Sequence, residues 1–366
     1  MKANTPYRFI FAGGGTGGHL YPALAVAQAI RAQKPDAKIL FVGAKNKIEE
    51  RVVPEYGFNF KPIWISGFSR KINLSNLLFP VKLAVAAFQS LSIVIKHKPR
   101  VAVGSGAYVS GPVIWASSLL GSKIILLEQN SYPGVTNRML DKKADEIHIT
   151  FEESKKYFRD QSKLILSGNP VRIDLRLKDK NDAKKKFSLD VSKKVLLVLG
   201  GSGGAKSINE IVAQNINELS KSGVQILWQT GKFYFDSYKN LESADVKIFP
   251  FIDDMSSAYS ACEVVLARSG ATTIAEVAQL GLPTVFVPSA NVAANHQFMN
   301  AKALKIAGAA ELIEDKNLKD EFLPVINEIF KNEVRRENMK KNITAFAKPD
   351  AAKEIAARAI RLAEII

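Results

Sequence analysis

Three glycine-rich loops, each behind a short apolar run and ahead of a helix-like stretch, constrain this chain more than any other feature. They read Gly13-Gly14-Gly15-Thr16-Gly17-Gly18-His19, Gly104-Ser105-Gly106-Ala107-Tyr108 and Gly200-Gly201-Ser202-Gly203-Gly204-Ala205. A strand, a glycine turn and a helix start together make an anion site. Glycine lets the backbone come close, and the first-turn amides and the helix dipole favour negative charge. One such loop says little. Three, spread over both halves of a 366-residue chain, point to an enzyme that holds two phosphorylated molecules between two α/β domains.

Strand-like and helix-like runs alternate throughout. The first half has strand patterns at Arg8–Ala12, Lys38–Val42, Phe60–Ile65, Val101–Val103, Lys123–Glu128, Glu146–Thr150 and Lys163–Leu166. The second half has them at Lys194–Leu199, Val224–Gln229, Val246–Phe251, Glu263–Ala267, Pro283–Val287 and Ala310–Ile313. Most are continuous apolar runs, the pattern of parallel strands buried on both faces. The expected fold class is therefore α/β, as two doubly wound domains. The seam lies in Gly168-Asn169-Pro170-Val171-Arg172, giving domains of 1–168 and 169–349. An amphipathic helix over 350–366 is expected to return to the first domain.

Composition narrows the class. The chain is 47% hydrophobic and 23% charged, as soluble globular proteins are. Its single cysteine, Cys262, excludes an internal disulfide framework and reads as a buried, inert thiol. No secretory signal pattern is visible, so the cytoplasm is the expected compartment. A formal net charge of +16 suits nucleic acid, an anionic membrane surface, anionic substrates or simply a solvated surface. The basic residues form no single compact nucleic-acid motif.

One segment stands apart. Leu74–Ile95 is strongly apolar but carries Lys82, Gln89 and a proline, and Arg70, Lys71, Lys96, Lys98 and Arg100 flank it. It is expected not to span a bilayer. The pattern alone favours an ordinary core helix over one lying on a membrane surface.

The glycine loops have rivals to face. Gly13-x-Gly15-x-x-Gly18 satisfies the dinucleotide fingerprint, but the second strand leads into Gly43-Ala44-Lys45, with no acidic residue for a ribose. The third loop, ending in Lys206-Ser207, imitates a nucleotide-triphosphate loop with Ala205 where a glycine is required. No Asp-x-Asp occurs and the four histidines are scattered, so no metal ligand set is visible. A fourth strand-to-helix turn, Arg268-Ser269-Gly270-Ala271-Thr272-Thr273, offers amides to a diphosphate, with Glu276 one turn further in. His19 stands where a helix start meets bound phosphate. Position alone leaves it open between a proton acceptor and a loop-bracing residue.

These motifs occur in order with Glu128-Gln129-Asn130, Pro133-Gly134, Gly168–Arg172, and His296-Gln297 with Asn300-Ala301. Taken together they closely resemble the MurG family, the peptidoglycan glycosyltransferases of the GT-B fold, over the whole chain. The resemblance implies two Rossmann-like domains facing a central cleft. It implies inverting, metal-independent transfer of N-acetylglucosamine from UDP-N-acetylglucosamine to the 4-hydroxyl of the muramyl sugar in lipid I, giving lipid II. No cofactor and no nucleic-acid partner are expected. It assigns Phe251 and Ile252 to the uracil and Glu276 to the ribose. Ser202, Ser269, Ala271, Thr272 and Thr273 fall to the diphosphate, and His296, Gln297 and Asn300 to the donor sugar. Thr16, Gly17, Gly18, Asn130 and Arg172 complete the donor side, with His19 as candidate base. Gly14, Gly15, Gly104, Ser105, Gly106 and Tyr108 would meet the acceptor diphosphate. Leu77, Leu78, Phe79 and Trp115 become candidates for a patch facing the cytoplasmic side of the membrane, where the enzyme would be peripheral and the basic charge would meet anionic lipid. The chain departs from the family at Gly203, where many members carry Gln, and at Ala293-Ala294-Asn295, which replaces a commonly acidic approach. Other expectations are a GT-B transferase with a different acceptor or, from another class, a basic nucleic-acid-binding protein.

Overall fold

The computed structural model describes residues 6–67, 78–201, 203–289 and 295–365. Leu77, Ser202, Arg70, Lys71, Ala293 and Ala294 lie outside them. The chain forms two compact units, one of residues 1–173 with 348–366, the other of 174–347.

The first unit runs β1 (Arg8–Ala12), α1 (Gly17–Gln33), β2 (Lys38–Ala44), α2 (Ile48–Glu55), β3 (Asn59–Ile63), α3 (Phe79–His97), β4 (Val101–Gly104), α4 (Ala107–Leu119), β5 (Lys123–Glu128), α5 (Val135–Leu140), β6 (Glu146–Ile149) and β7 (Leu164–Leu166). The second runs α6 (Lys180–Lys186), β8 (Lys194–Leu199), α7 (Lys206–Lys221), β9 (Val224–Gln229), α8 (Phe235–Tyr238), β10 (Val246–Phe249), α9 (Met255–Ala261), β11 (Val264–Ala267), α10 (Ala271–Leu280), β12 (Thr284–Phe286), α11 (His296–Ile306), β13 (Glu311–Leu312), α12 (Leu318–Lys331) and α13 (Glu333–Thr344). The last helix, α14 (Ala351–Ile365), belongs to the first unit.

Both sheets are parallel throughout. The first has order β3-β2-β1-β4-β5-β6-β7 and the second β10-β9-β8-β11-β12-β13. In β1, Phe9 and Phe11 enter one core with α1 and α14, while Ile10 and Ala12 enter the other with α3 and α4. That two-sided burial explains why these strands read as unbroken apolar runs. The buried face of α14, Ala352, Ile355, Ala356, Ala359 and Ala363, completes the first of these cores. Arg100 donates to the Ala363 carbonyl (3.0 Å), and Arg358 pairs with Glu146 of β6 (2.9 Å).

Two strand ends differ from the sequence reading. The strand expected over Val246–Phe251 stops at Phe249, because Pro250 has no N–H to give the ladder. The strand expected over Phe60–Ile65 is Asn59–Ile63, since the Trp64 amide donates to the Gln89 side chain (2.8 Å) instead.

Over its described part, residues 78–95, the core reading of Leu74–Ile95 is corrected. In α3 only Ala86, Ser90 and Val94 are buried, a single stripe at helical spacing. Leu78, Val81, Leu83, Phe88 and Ile95 are exposed, Phe88 at 74%. Among the described residues α3 is the one helix long and apolar enough to cross a membrane by length and composition. It nonetheless serves as the crossover between β3 and β4 of one sheet, and Lys82 and Gln89 bind it to Ser66 and Trp64.

Candidate active site

In a doubly wound sheet ligands bind at the carboxyl ends of the strands where the strand order reverses. In the first sheet that place lies between β1 and β4, and the first two glycine loops leave these two strands. In the second it lies between β8 and β11, which lead into the third loop and the Arg268 turn. All four motifs thus sit at the two switch points. The helices that follow, α1, α4, α7 and α10, begin without a side-chain cap. Asp179, Asp254 and Asn332 cap α6, α9 and α13, while α2, α3, α5, α8, α11 and α12 lack such a cap as well. A helix start takes an anion through its first-turn amides and its dipole.

In the first unit His19 is fixed by the second loop. Its Nδ1 lies 2.8 Å from the Ser105 carbonyl and 3.2 Å from Gln129 Oε1. Both are acceptors, so Nδ1 carries the proton and Nε2 keeps its lone pair. Gln129 is oriented by donating to the Ser105 carbonyl (3.2 Å), and the Ser105 hydroxyl donates to the His19 carbonyl (2.6 Å). Gly106 has φ +93°, and a Cβ there would stand 2.9 Å from His19 Nδ1. Ser105 is fully buried and its amide donates to the Ala12 carbonyl. A Cβ on Gly104 would meet Ile114 at 2.8 Å, so this glycine serves helix-to-strand packing. Tyr108 is half-buried beside Gly15, and burial followed by the charge of Glu49 pushes its phenol above the ordinary value. Thr16 and Gly18 are exposed and Gly17 half-buried at the start of α1.

Glu128 braces the end of β5. It accepts from the Asn130 amide (2.9 Å) and side chain (3.3 Å), the Gly134 amide (3.0 Å) and Asn137 (2.9 Å). Burial pushes its carboxyl up, against these hydrogen bonds, which favour the anion. Arg172 is buried at 6% exposure, donates to the Tyr56 hydroxyl and lies over the Tyr21 ring.

In the second unit Gly201 and Gly204 take left-handed φ values, +84° and +82°. A Cβ on Gly203 or Gly270 would meet nothing within 4 Å. Gln229 accepts from the Ile252 amide (2.9 Å) and donates to the Gly201 carbonyl (3.2 Å), joining the third loop to the Phe251-Ile252 segment. Arg268 donates to the Val287 and Pro288 carbonyls, to Asp315 and to Ser207, tying the β12 end to α7. The Ser269 hydroxyl donates to the Gln297 carbonyl (2.8 Å), and Gln297 Oε1 accepts from the Ser289 amide (2.8 Å). Thr272 and Thr273 are half-buried in the first turn of α10 behind buried Ala271, and His296 opens α11. Asn300 is 2% exposed, and neither of its polar side-chain atoms has a hydrogen-bond partner among the described residues. Glu276 is held by the buried Tyr259, whose hydroxyl donates to Oε2 at 2.8 Å.

Sequence reasoning did not find Tyr259, Gln229, Asp315 or Glu49, because each acts through a contact distant in sequence. A groove of about 750 Å³, lined by Lys38, Phe58, Phe60, Lys61, Lys96 and His97 among others, lies at the amino ends of β2 and β3 and touches none of the glycine loops. Cys262 is buried, and burial pushes its thiol up.

Comparison with known proteins places this geometry. The glycosyltransferase family 28 N-terminal domain matches residues 9–149 and the family 28 C-terminal domain residues 195–355. A protein of Flavobacterium psychrophilum is 44% identical over 361 residues, covering 98% of both chains. One of Cytophaga hutchinsonii is 42% identical, covering 97% of this chain and 96% of the other. Both are named UDP-N-acetylglucosamine--N-acetylmuramyl-(pentapeptide) pyrophosphoryl-undecaprenol N-acetylglucosamine transferase. The crystal structure of MurG from Acinetobacter baumannii is 26% identical, with a TM-score of 0.72 over 97% of this chain and 100% of that one. With its two doubly wound units and their four glycine turns at the switch points, the chain belongs to glycosyltransferase family 28, among the MurG-type N-acetylglucosaminyltransferases of the GT-B fold.

Proposed function

We propose that the chain moves N-acetylglucosamine from UDP-N-acetylglucosamine to the 4-hydroxyl of the muramyl sugar of lipid I, with inversion, forming lipid II for peptidoglycan. The observation that carries the mechanism is the imidazole of His19. The Ser105 carbonyl and Gln129 hold the proton on Nδ1. Nε2 is then the base that takes the proton from the attacking hydroxyl. The second unit holds the donor, with Glu276 on the ribose hydroxyls. The uncapped start of α10 and the third loop stabilise the departing diphosphate. The unpartnered amide of Asn300 is matched to a hydroxyl-rich sugar, because it both donates and accepts. Gln297 works beside it. In the first unit Arg172 orders Tyr56 and Tyr21.

The first unit takes the acceptor, with Tyr108 and the starts of α1 and α4 meeting its diphosphate. The enzyme works as a peripheral protein on the cytoplasmic face of the membrane. Leu78 and Trp115 are exposed, whereas Phe79 is half-buried. Val81, Phe88 and Ile95 of α3, with Leu119 and Leu120 at the end of α4, are stronger members of that patch than Phe79. Anionic lipid is its partner, not nucleic acid. One assay tests the whole reading: release of UDP from UDP-N-acetylglucosamine, with and without a lipid I analogue. Release that depends on the analogue supports it. Release dependent on another acceptor and indifferent to lipid I would assign a different transferase.

A further inference from the structure

Glu49, the second residue of α2, is 1% exposed, and no motif marks it. Its Oε2 accepts from the Gly15 amide (2.8 Å) and its Oε1 from the Ala44 amide (2.9 Å). No cationic side chain pairs with it among the described residues. A buried carboxylate held by two backbone amides is a costly arrangement that persists only where its hydrogen bonds are well made. Room is made for it on two sides. A Cβ on Gly14 would lie 2.3 Å from Glu49 Cδ, and one on Gly43 would lie 2.4 Å from Cγ. Two of the glycines that look like anion-loop residues thus accommodate the protein's own anion.

The carboxylate joins the turn after β1 to the turn after β2. Gly15, which it holds, has φ +77° and stands just before the start of α1. Four residues on comes His19. Beside Gly15 is Tyr108, whose ring would be 3.6 Å from a Cβ there. A negative charge at a helix start offsets part of its positive potential. Any further anion arriving at Gly14 and Gly15 would meet a carboxylate and an amide already engaged.

We propose that Glu49 is a positioning residue for glycosyl transfer. It presets the first glycine loop so that His19 faces the acceptor hydroxyl. Its charge also directs the acceptor's diphosphate away from Gly14 and Gly15, onto Tyr108 at the start of α4. This rests on the reading of the first unit as the acceptor side.

The test uses the full chain carrying Glu49→Gln or Glu49→Ala, with kinetics for a lipid I analogue and UDP-N-acetylglucosamine, UDP binding and thermal melting. The isosteric amide turns a donor toward one of the two N–H groups. Turnover of lipid I should fall about tenfold to a hundredfold, the loss typical of hydrogen bonds to a charged group. The donor KM and UDP affinity should stay as they are. Formate fits the space left by Glu49→Ala and should restore turnover in a dose-dependent way. Formamide, and chloride at equal ionic strength, should not. Wild-type turnover in Glu49→Gln overturns the proposal, and so does a loss of Glu49→Ala activity that formate leaves untouched. Should both variants fail to fold, Glu49 serves stability alone and the proposal falls. A wild-type protein inactive with lipid I would instead sink the functional reading beneath it.

Discussion

The glycine loops of the two units look alike in sequence and differ in what fills them. In the first unit the space beside Gly13, Gly14 and Gly106 is occupied by Ser105, Glu49 and His19. In the second, Gly201, Gly203 and Gly270 border open space. Glycine in the first unit therefore admits the protein's own polar groups, which hold His19 in one tautomer and direction. In the second, Gly200 and Gly204 close on the backbone of Ala205 and Thr230, while Gly201, Gly203 and Gly270 leave backbone exposed for a ligand to approach. The same residue type thus makes room for side chains on one side and leaves room for a ligand on the other.

The largest effect should come from the filled side. His19→Ala should lower kcat about 10²–10⁴-fold if Nε2 takes the acceptor proton. UDP affinity, measured by calorimetry, should barely change, because the residues proposed to hold uridine belong to the second unit. A fall in kcat below tenfold would make the second loop's hold on His19 purely structural. Glu128 would not replace it as base, since both its oxygens already accept hydrogen bonds from Asn130, Gly134 and Asn137.

The open side answers next. Glu276→Ala removes charge-assisted hydrogen bonds of about 1.5–3 kcal/mol each. The donor KM should rise about tenfold to a hundredfold, with the melting temperature nearly kept and kcat for lipid I little altered. An unchanged donor KM would remove Glu276 from the ribose.

A direct test of filled against open is the same substitution in both places. Gly14→Ala drives a methyl into a carboxylate pinned by two amides. Overpacking of this kind costs about 1–3 kcal/mol, to be read as a lower melting temperature together with slower lipid I turnover. Gly203→Ala meets nothing within 4 Å and has no left-handed φ. Its stability should stay within about 0.5 kcal/mol of the parent, with any change confined to donor binding. Equal destabilisation by the two would erase the distinction.

The fold was legible because burial on both faces of a parallel sheet leaves plain apolar runs. Lys123–Glu128, Lys194–Leu199 and Val224–Gln229 have the same ends in sequence pattern and structure. The motif positions were legible for the same reason, since each glycine turn follows such a run. What stayed hidden is long-range polar pairing. Glu49 reaches an amide 34 residues away, and His19 reaches Ser105 across 86. No local pattern announces either bond. The face of α3 was misjudged on pattern alone because both its stripes are apolar. Ala86, Ser90 and Val94 go inward, while Val81, Phe88 and Ile95 go out.

That outward stripe separates the first unit from the second in another way. Phe88→Ser should weaken binding to vesicles containing anionic lipid, where a fully buried phenylalanine contributes up to about 1.5–3 kcal/mol. Binding should fall with salt, as each nearby basic residue adds roughly 1 kcal/mol that ions screen. UDP binding should not respond. Vesicle binding that survives Phe88→Ser paired with Val81→Ser would move the membrane face off α3.

The smallest effect probes how the open side is kept in order. Tyr259 is 1% exposed on α9, and its hydroxyl donates to Glu276 Oε2 at 2.8 Å. Tyr259→Phe keeps the ring and removes the bond to Glu276, while α10 still carries the carboxylate to the same place. The cost should be near the low end for such a bond, about 0.5–1.5 kcal/mol. The donor KM should therefore rise about twofold to tenfold with kcat unchanged. Discrimination between UDP and its 2′-deoxy analogue should weaken in Tyr259→Phe and vanish in Glu276→Ala, because a looser carboxylate still meets the ribose and an absent one does not. A Tyr259→Phe enzyme with the parent's donor KM would mean that α10 alone aims Glu276. The open side would then need no counterpart to the bracing that the filled side gives His19.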